Sequence, residues 1–169
     1  MERRYLREIG LIGMLIAANG ASAAPQALCH PQERVVFSCP ANQKIISLCA
    51  SGDLRGTDGH LVYRFGKDMS HVELAYDASP ASSPPPFSFD YSSWAKGESS
   101  AVSFNRGTYR YIINHAHGAF GVDGGPNVAG VQVLLGKKKI SDISCNEPKA
   151  TDNIYQELHG ANLPSTGAL

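Results

Sequence analysis

Cys29, Cys39, Cys49 and Cys145 are the only cysteines among 169 residues, and all four follow a leader-like N-terminus. Arg3, Arg4 and Arg7 form a basic start, Ile9–Ala18 is an uncharged apolar run, and Ala21-Ser22-Ala23 is an A-x-A cleavage site. This is the pattern of a secretory signal peptide over residues 1–23. Its apolar run is too short for a bilayer span, which takes about 20 residues, and no longer run follows. Leu28, before Cys29, is not the small residue that lipidation of that cysteine requires. An even cysteine count in an exported chain implies disulfides, in any of three connectivities. Zinc is a poor alternative, because no two cysteines stand at the close spacing of a ligand pair. The expected location is periplasmic or secreted.

Local pattern ranks the connectivities. Arg34–Cys39 and Lys44–Cys49 read as a hairpin around Pro40-Ala41-Asn42-Gln43. If Cys39 faces Lys44, Cys49 lies opposite Arg34, near the segment that carries Cys29. That favours Cys29–Cys49 and leaves Cys39 for Cys145 at the end of the last strand.

Short β-branched and aromatic segments fill the chain between turn residues. They are Val35–Cys39, Ile45–Cys49, Leu61–Phe65, His71–Tyr76, Phe87–Tyr91, Ser99–Phe104, Tyr109–Asn114, Ala129–Leu135 and Lys139–Cys145. Val72, Leu74 and Tyr76 alternate with polar or small residues, and Val102 shares a face with Phe104, as in strands with one packed face. Asn105-Arg106-Gly107 and Gly136-Lys137-Lys138 read as hairpin turns. Ser79–Pro86 and the glycine-rich Gly118–Gly130 read as loops. The sequence predicts an all-β domain over residues 24–145, an antiparallel barrel or sandwich of about eight strands stabilised by disulfides. Residues 146–169 are a tail in which Thr151-Asp152-Asn153 caps a short helix through about Glu157, with Gly160–Leu169 frayed.

Fifteen basic residues balance fifteen acidic ones, and removing residues 1–23 leaves twelve against thirteen. A neutral chain lacks the basic surplus that makes nucleic acid a main partner. Ser93-Trp94-Ala95-Lys96 matches S-x-x-K, but that chemistry sits on a larger domain with a K-T-G strand, and Gly136-Lys137-Lys138 lacks the threonine. No nucleophile elbow, zincin motif, phosphate loop or dinucleotide fingerprint occurs. His115-Ala116-His117 sets two imidazoles on one strand face, with His60, His71 or Asp123 as conceivable third ligands. The spacing selects none of these, so neither metal nor cofactor is assigned. Lys137-Lys138-Lys139 reads as a solvated hairpin tip that blunts a strand edge.

Aromatic side chains are the stronger lead. Trp94, the single tryptophan, stands beside Tyr91, Lys96 and Gly97, and residues of this kind anchor protein contacts. Tyr109 and Tyr111 share one face of the next hairpin, with Arg106 beside them and Arg110 on the other face. The candidate partner-binding residues are Trp94, Lys96, Tyr91 and Tyr109.

Phe37-Ser38-Cys39, Lys96-Gly97-Glu98 running into Ala101-Val102, and Gly136-Lys137 leading to Ile143-Ser144-Cys145 resemble small periplasmic β-barrel proteins of the C-type lysozyme inhibitor kind. The likeness covers Phe37–Cys145. It implies a fold tied shut by a bond corresponding to Cys39–Cys145, a role for Lys96, and a wall-degrading enzyme as partner. That family's inhibitory loop is not recognisable, and Ser79–Pro86 takes roughly its place. Phe37–Ser51 and Ser103–Ile113 are also similar to segments of uncharacterised exported proteobacterial proteins. The expected function is binding rather than catalysis: an exported module that docks a protein partner, a lysozyme or another cell-wall hydrolase. The alternatives are an envelope protein without enzymatic activity and a small metal-dependent hydrolase using His115 and His117.

Overall fold

The computed structural model describes residues 27–83, 85–118, 128–146 and 150–167. The leader expected over 1–23, Asp123 and most of the expected 118–130 loop lie outside them. Strands β1 (Arg34–Ala41), β2 (Lys44–Ser51), β3 (His60–Gly66) and β4 (Val72–Ala78) form one antiparallel meander. Strands β5 (Phe87–Trp94), β6 (Gly97–Arg106), β7 (Tyr109–Gly118), β8 (Val128–Leu135) and β9 (Lys138–Ser144) form a second. The Ser79–Pro86 segment joins them, as its prolines predict. A two-residue strand β10 (Thr151–Asp152) returns to the free edge of β1, opposite Phe37 and Ser38, and leads into helix α1 (Ile154–Leu158). The result is a sandwich of two five-stranded sheets, not a closed barrel.

Alternation decides which residues meet in the middle. Phe37, Ile46, Leu48, Leu61 and Tyr63 from the first sheet join Phe87, Val102, Phe104, Ile113, Val131 and Val133 from the second in one apolar core. Phe104 lies stacked between Tyr76 (4.5 Å) and Tyr111 (4.9 Å), with Tyr63 at 5.2 Å and Phe87 at 5.5 Å. β1 and β2 are buried on both faces, which explains their near-continuous apolar runs, whereas the edge strand β4 alternates as its sequence does.

Both disulfides form as expected, Cys29–Cys49 and Cys39–Cys145. They indicate an oxidising, extracytoplasmic compartment. The register behind the argument differs, however. β1 runs on through Pro40 and Ala41, the turn is Asn42-Gln43, and Cys39 faces Ile46 while Cys49 faces Val35. Asn42 takes the left-handed conformation, at φ 57°, that the two-residue turn requires. A bulge at Val36 then shifts the register again.

Chain ends back the outer faces of the sheets. Residues 28–33 cross the first sheet on the side of Ser38, Ser47, Cys49 and Arg64. There Leu28 N–H donates to Ser47 Oγ (2.9 Å), and Arg64 holds Glu33 through two short bonds. The tail is not frayed. Pro164 accepts the Phe89 N–H (3.0 Å) at the free edge of β5, and Leu163 packs on the core. Ser165 Oγ, Thr166 N–H and Oγ1, and Gly167 N–H all donate to the buried Asp90 carboxylate on the outer face of the second sheet. Thr166 is also held by Arg110. The domain therefore does not stop at Cys145.

Asp90→Ala removes the acceptor common to these donors. Amide exchange at Thr166 and Gly167 is then expected to accelerate by at least about tenfold, since charge-assisted bonds of this kind are each worth about 1.5–3 kcal/mol. Unchanged exchange would mean that other contacts hold the tail.

Candidate functional site

The end of the second sheet where β5 turns into β6 collects three of the four predicted binding residues. Trp94 pairs with Gly97 across a two-residue turn, Ala95-Lys96, and Gly97 pairs with Gly118 on β7. Lys96 is exposed at the tip and Trp94 is half-buried at the end of β5 rather than in a loop. Glycine is required at this crossing. A Cβ on Gly97 would lie 2.3 Å from the His117 carbonyl oxygen and 2.8 Å from Trp94 Cζ2, and one on Gly118 would lie 2.1 Å from the Lys96 carbonyl oxygen. The indole edge thus lies against Gly97, and the Gly97–Gly118 pair lets the two backbones approach closely beside it.

The inner face at the same end is polar. Tyr91 on β5 donates its hydroxyl to Glu98 Oε2 on β6 (2.7 Å), and Glu98 Oε1 lies 3.8 Å from His117 Nε2 on β7. The bond to Glu98 is the main cause that raises the Tyr91 phenol above its ordinary pKa. One step inward, His115 Nδ1 lies 2.6 Å from Asp152 Oδ2 on β10, so this pair links the two sheets. The two imidazoles stand 5.7 Å apart between ring centres. Helix α1 closes the group from the other side: Tyr155 packs on Tyr91 (4.3 Å) and on His159 (4.7 Å).

Tyr109 is not part of this group. It starts β7, eight residues from His117, which at about 3.4 Å per residue puts it about 27 Å away. It is exposed beside Arg106 and Leu135 at the opposite end of the sheet.

His115 and His117 do share a face, as the alternation predicts, but each has its own carboxylate. A carboxylate on Nδ1 can orient an imidazole toward a metal or make it a base. The conceivable third ligands are elsewhere: His60 pairs with Asp77 and His71 with Asp68 on the first sheet. Among the described residues, the single group of three close ligand atoms is Cys29, Glu33 and Cys49, whose sulfurs are bonded to each other. Sequence reasoning missed Glu98, Asp152 and Tyr155 as members of the site. A two-residue turn at Gly107-Thr108 would have set Glu98 opposite His117, as observed.

No family model matches the chain, and no curated protein or solved structure is significantly similar to it.

Proposed function

We propose that this protein is an exported binding module, acting in the periplasm or outside the cell, that docks a protein partner through the β5–β6 end of its second sheet. Trp94 and Lys96 make the contact, with Tyr91 behind them. The observation that carries the reading is the tip itself. An exposed cation on a two-residue turn stands beside a half-buried indole that rests on Gly97, all on a disulfide-fastened sandwich. An aromatic anchor held in one place loses little entropy on docking, which is the property of interface hot spots. The resemblance to lysozyme inhibitors at Lys96-Gly97-Glu98 supports a wall-degrading enzyme as the partner class. On this reading the protein is not an enzyme, and the His115–Asp152 pair serves to join the sheets.

The test is a titration of the oxidised protein against a C-type lysozyme, with wall lysis as the readout. Stoichiometric inhibition is expected, and Trp94→Ala and Lys96→Ala are each expected to weaken it by at least about tenfold, the 1–2 kcal/mol scale of an interface hot spot. Full lysis at a large molar excess would remove that target. Inhibition untouched by either substitution would move the contact surface elsewhere.

A further inference from the structure

The end of the second sheet opposite Trp94 carries a separate surface. Two hairpin tips stand side by side there, because Tyr109 at the start of β7 pairs with Leu135 at the end of β8. The first turn is Gly107-Thr108 and the second Gly136-Lys137, each opened by a glycine at φ 62°. A Cβ added to either glycine would meet nothing within 4 Å, so both tips project clear of the body.

Besides the neutral Asn105 and Thr108, their exposed side chains are cationic or large and apolar. Arg106, Lys137, Lys138 and Lys139 are all exposed. Lys139 is paired with Asp142, but no ion pair among the described residues involves Arg106, Lys137 or Lys138. Beside these cations the cross-strand pair Tyr109 and Leu135 are 41% and 45% exposed, and Ile140, next to Lys139 in the β9 bulge on the other face, is 47% exposed, three of the five large apolar side chains exposed among the described residues. In a chain of zero formal net charge this is local segregation, not a general basic surplus.

We propose that these paired tips dock onto an anionic phospholipid bilayer, the cations against lipid phosphates and Tyr109, Leu135 and Ile140 in the interfacial layer. Cations alone would serve any polyanion equally well. The exposed tyrosine and aliphatic residues among them are what an interface between headgroups and acyl chains accepts and a hydrated polymer does not. The surface is about 27 Å from the proposed partner site, so a molecule held on a membrane here would leave that site uncovered.

The experiment is co-sedimentation of the exported, processed protein with vesicles of phosphatidylcholine alone or with one-third phosphatidylglycerol. Binding is expected only to the anionic vesicles, and is expected to fall with added salt. Lys137→Glu/Lys138→Glu is expected to weaken it at least about tenfold, on the scale of several-fold per basic residue at such a surface. Tyr109→Ser/Leu135→Ser is expected to weaken it with all cations retained. Trp94→Ala and Lys96→Ala are expected to leave it unchanged, which separates this surface from the partner site. Both double variants change exposed positions, and retained near-ultraviolet circular dichroism verifies their fold. No binding to anionic vesicles would overturn the proposal. So would full binding by Lys137→Glu/Lys138→Glu, or a serine double variant as tight as the parent, the last indicating a surface for soluble polyanions.

Discussion

Removing the Cys39–Cys145 bond, by replacing both residues with alanine, is expected to lower the unfolding free energy by about 4–5 kcal/mol. The bond spans a sequence separation of 106, against 20 for Cys29–Cys49. In the chain-entropy account the long loop is worth about 4.8 kcal/mol and the short one about 3.3 kcal/mol, because cross-linking distant residues restricts the unfolded chain more. The position in the fold adds a second reason. Among the described residues no ladder joins the two sheets, and this bond fastens the residue after β9 in one sheet to β1 in the other. Asn146 N–H to the Pro40 carbonyl (2.7 Å) is the polar contact beside it. Domains of this size have about 5–15 kcal/mol in total, so the variant should be marginal. The measurement is urea unfolding of the parent and of each double-alanine variant. A steeper denaturant dependence is expected once the unfolded state loses its cross-link. If Cys29–Cys49 proved the costlier bond to lose, loop entropy would not be what sets their rank.

That pairing was legible before its register was, and the difference is instructive. The hairpin signal brought Cys29 near Cys49 whatever the exact turn, because the strands on either side are short and strongly apolar. The turn itself was hidden by Pro40, which has no N–H and therefore reads as loop. In the fold it sits near the end of β1, opposite Ile45, and its carbonyl accepts from Asn146. All nine longer strands announce themselves through local composition. β10 does not, since two residues have no period and Thr151-Asp152 looks like a helix cap. Asp152 plays both parts: its Oδ1 accepts the Ile154 N–H (3.0 Å) while Oδ2 faces His115.

The candidate site was half legible for the same reason. His115-x-His117 is a local pattern, and so is Trp94 beside Lys96-Gly97. Their partners come from other strands. Glu98 reaches His117 through the β6–β7 register, Asp152 reaches His115 from the other sheet, and Tyr155 arrives on the C-terminal helix. The docked tail left still less trace. Its anchors are hydroxyl and backbone donors to Asp90, and a Pro-Ser-Thr-Gly sequence with few apolar residues resembles any unstructured end. The two tips at Gly107 and Gly136 were each visible as turns, but that they stand together follows only from the β7–β8 pairing.

Glu33→Ala is expected to destabilise the fold by about 3–5 kcal/mol, the cost of leaving a buried charge without its partner. Arg64 reaches Glu33 with both Nη atoms, at 2.6 and 2.8 Å, and the two side chains are 10% and 7% exposed. Nη1 also donates to the Leu28 carbonyl (3.0 Å), so the guanidinium pins the whole segment that Cys29–Cys49 staples to the first sheet. Burial alone would raise the Glu33 pKa. The bond from Arg64, the His30 N–H and the Arg64 charge outweigh it and hold the carboxyl below its ordinary value. A folded pKa below the unfolded one gives stability that is present above the unfolded pKa, about 4.3 for glutamate, and is lost as pH falls through the folded value. The parent should therefore lose stability in that acid window, and Glu33→Gln should lose less of it. Asp68, also lowered by its bond to His71 but exposed, contributes little there. Replacing both partners by apolar residues separates the pair's net worth from the cost of breaking it. Glu33→Leu/Arg64→Met is expected to be more stable than Glu33→Ala, because no uncompensated charge remains. Urea midpoints at neutral and acid pH decide this. A double variant as unstable as the single one would assign the loss to the shape of the segment over the sheet, not to an orphaned guanidinium.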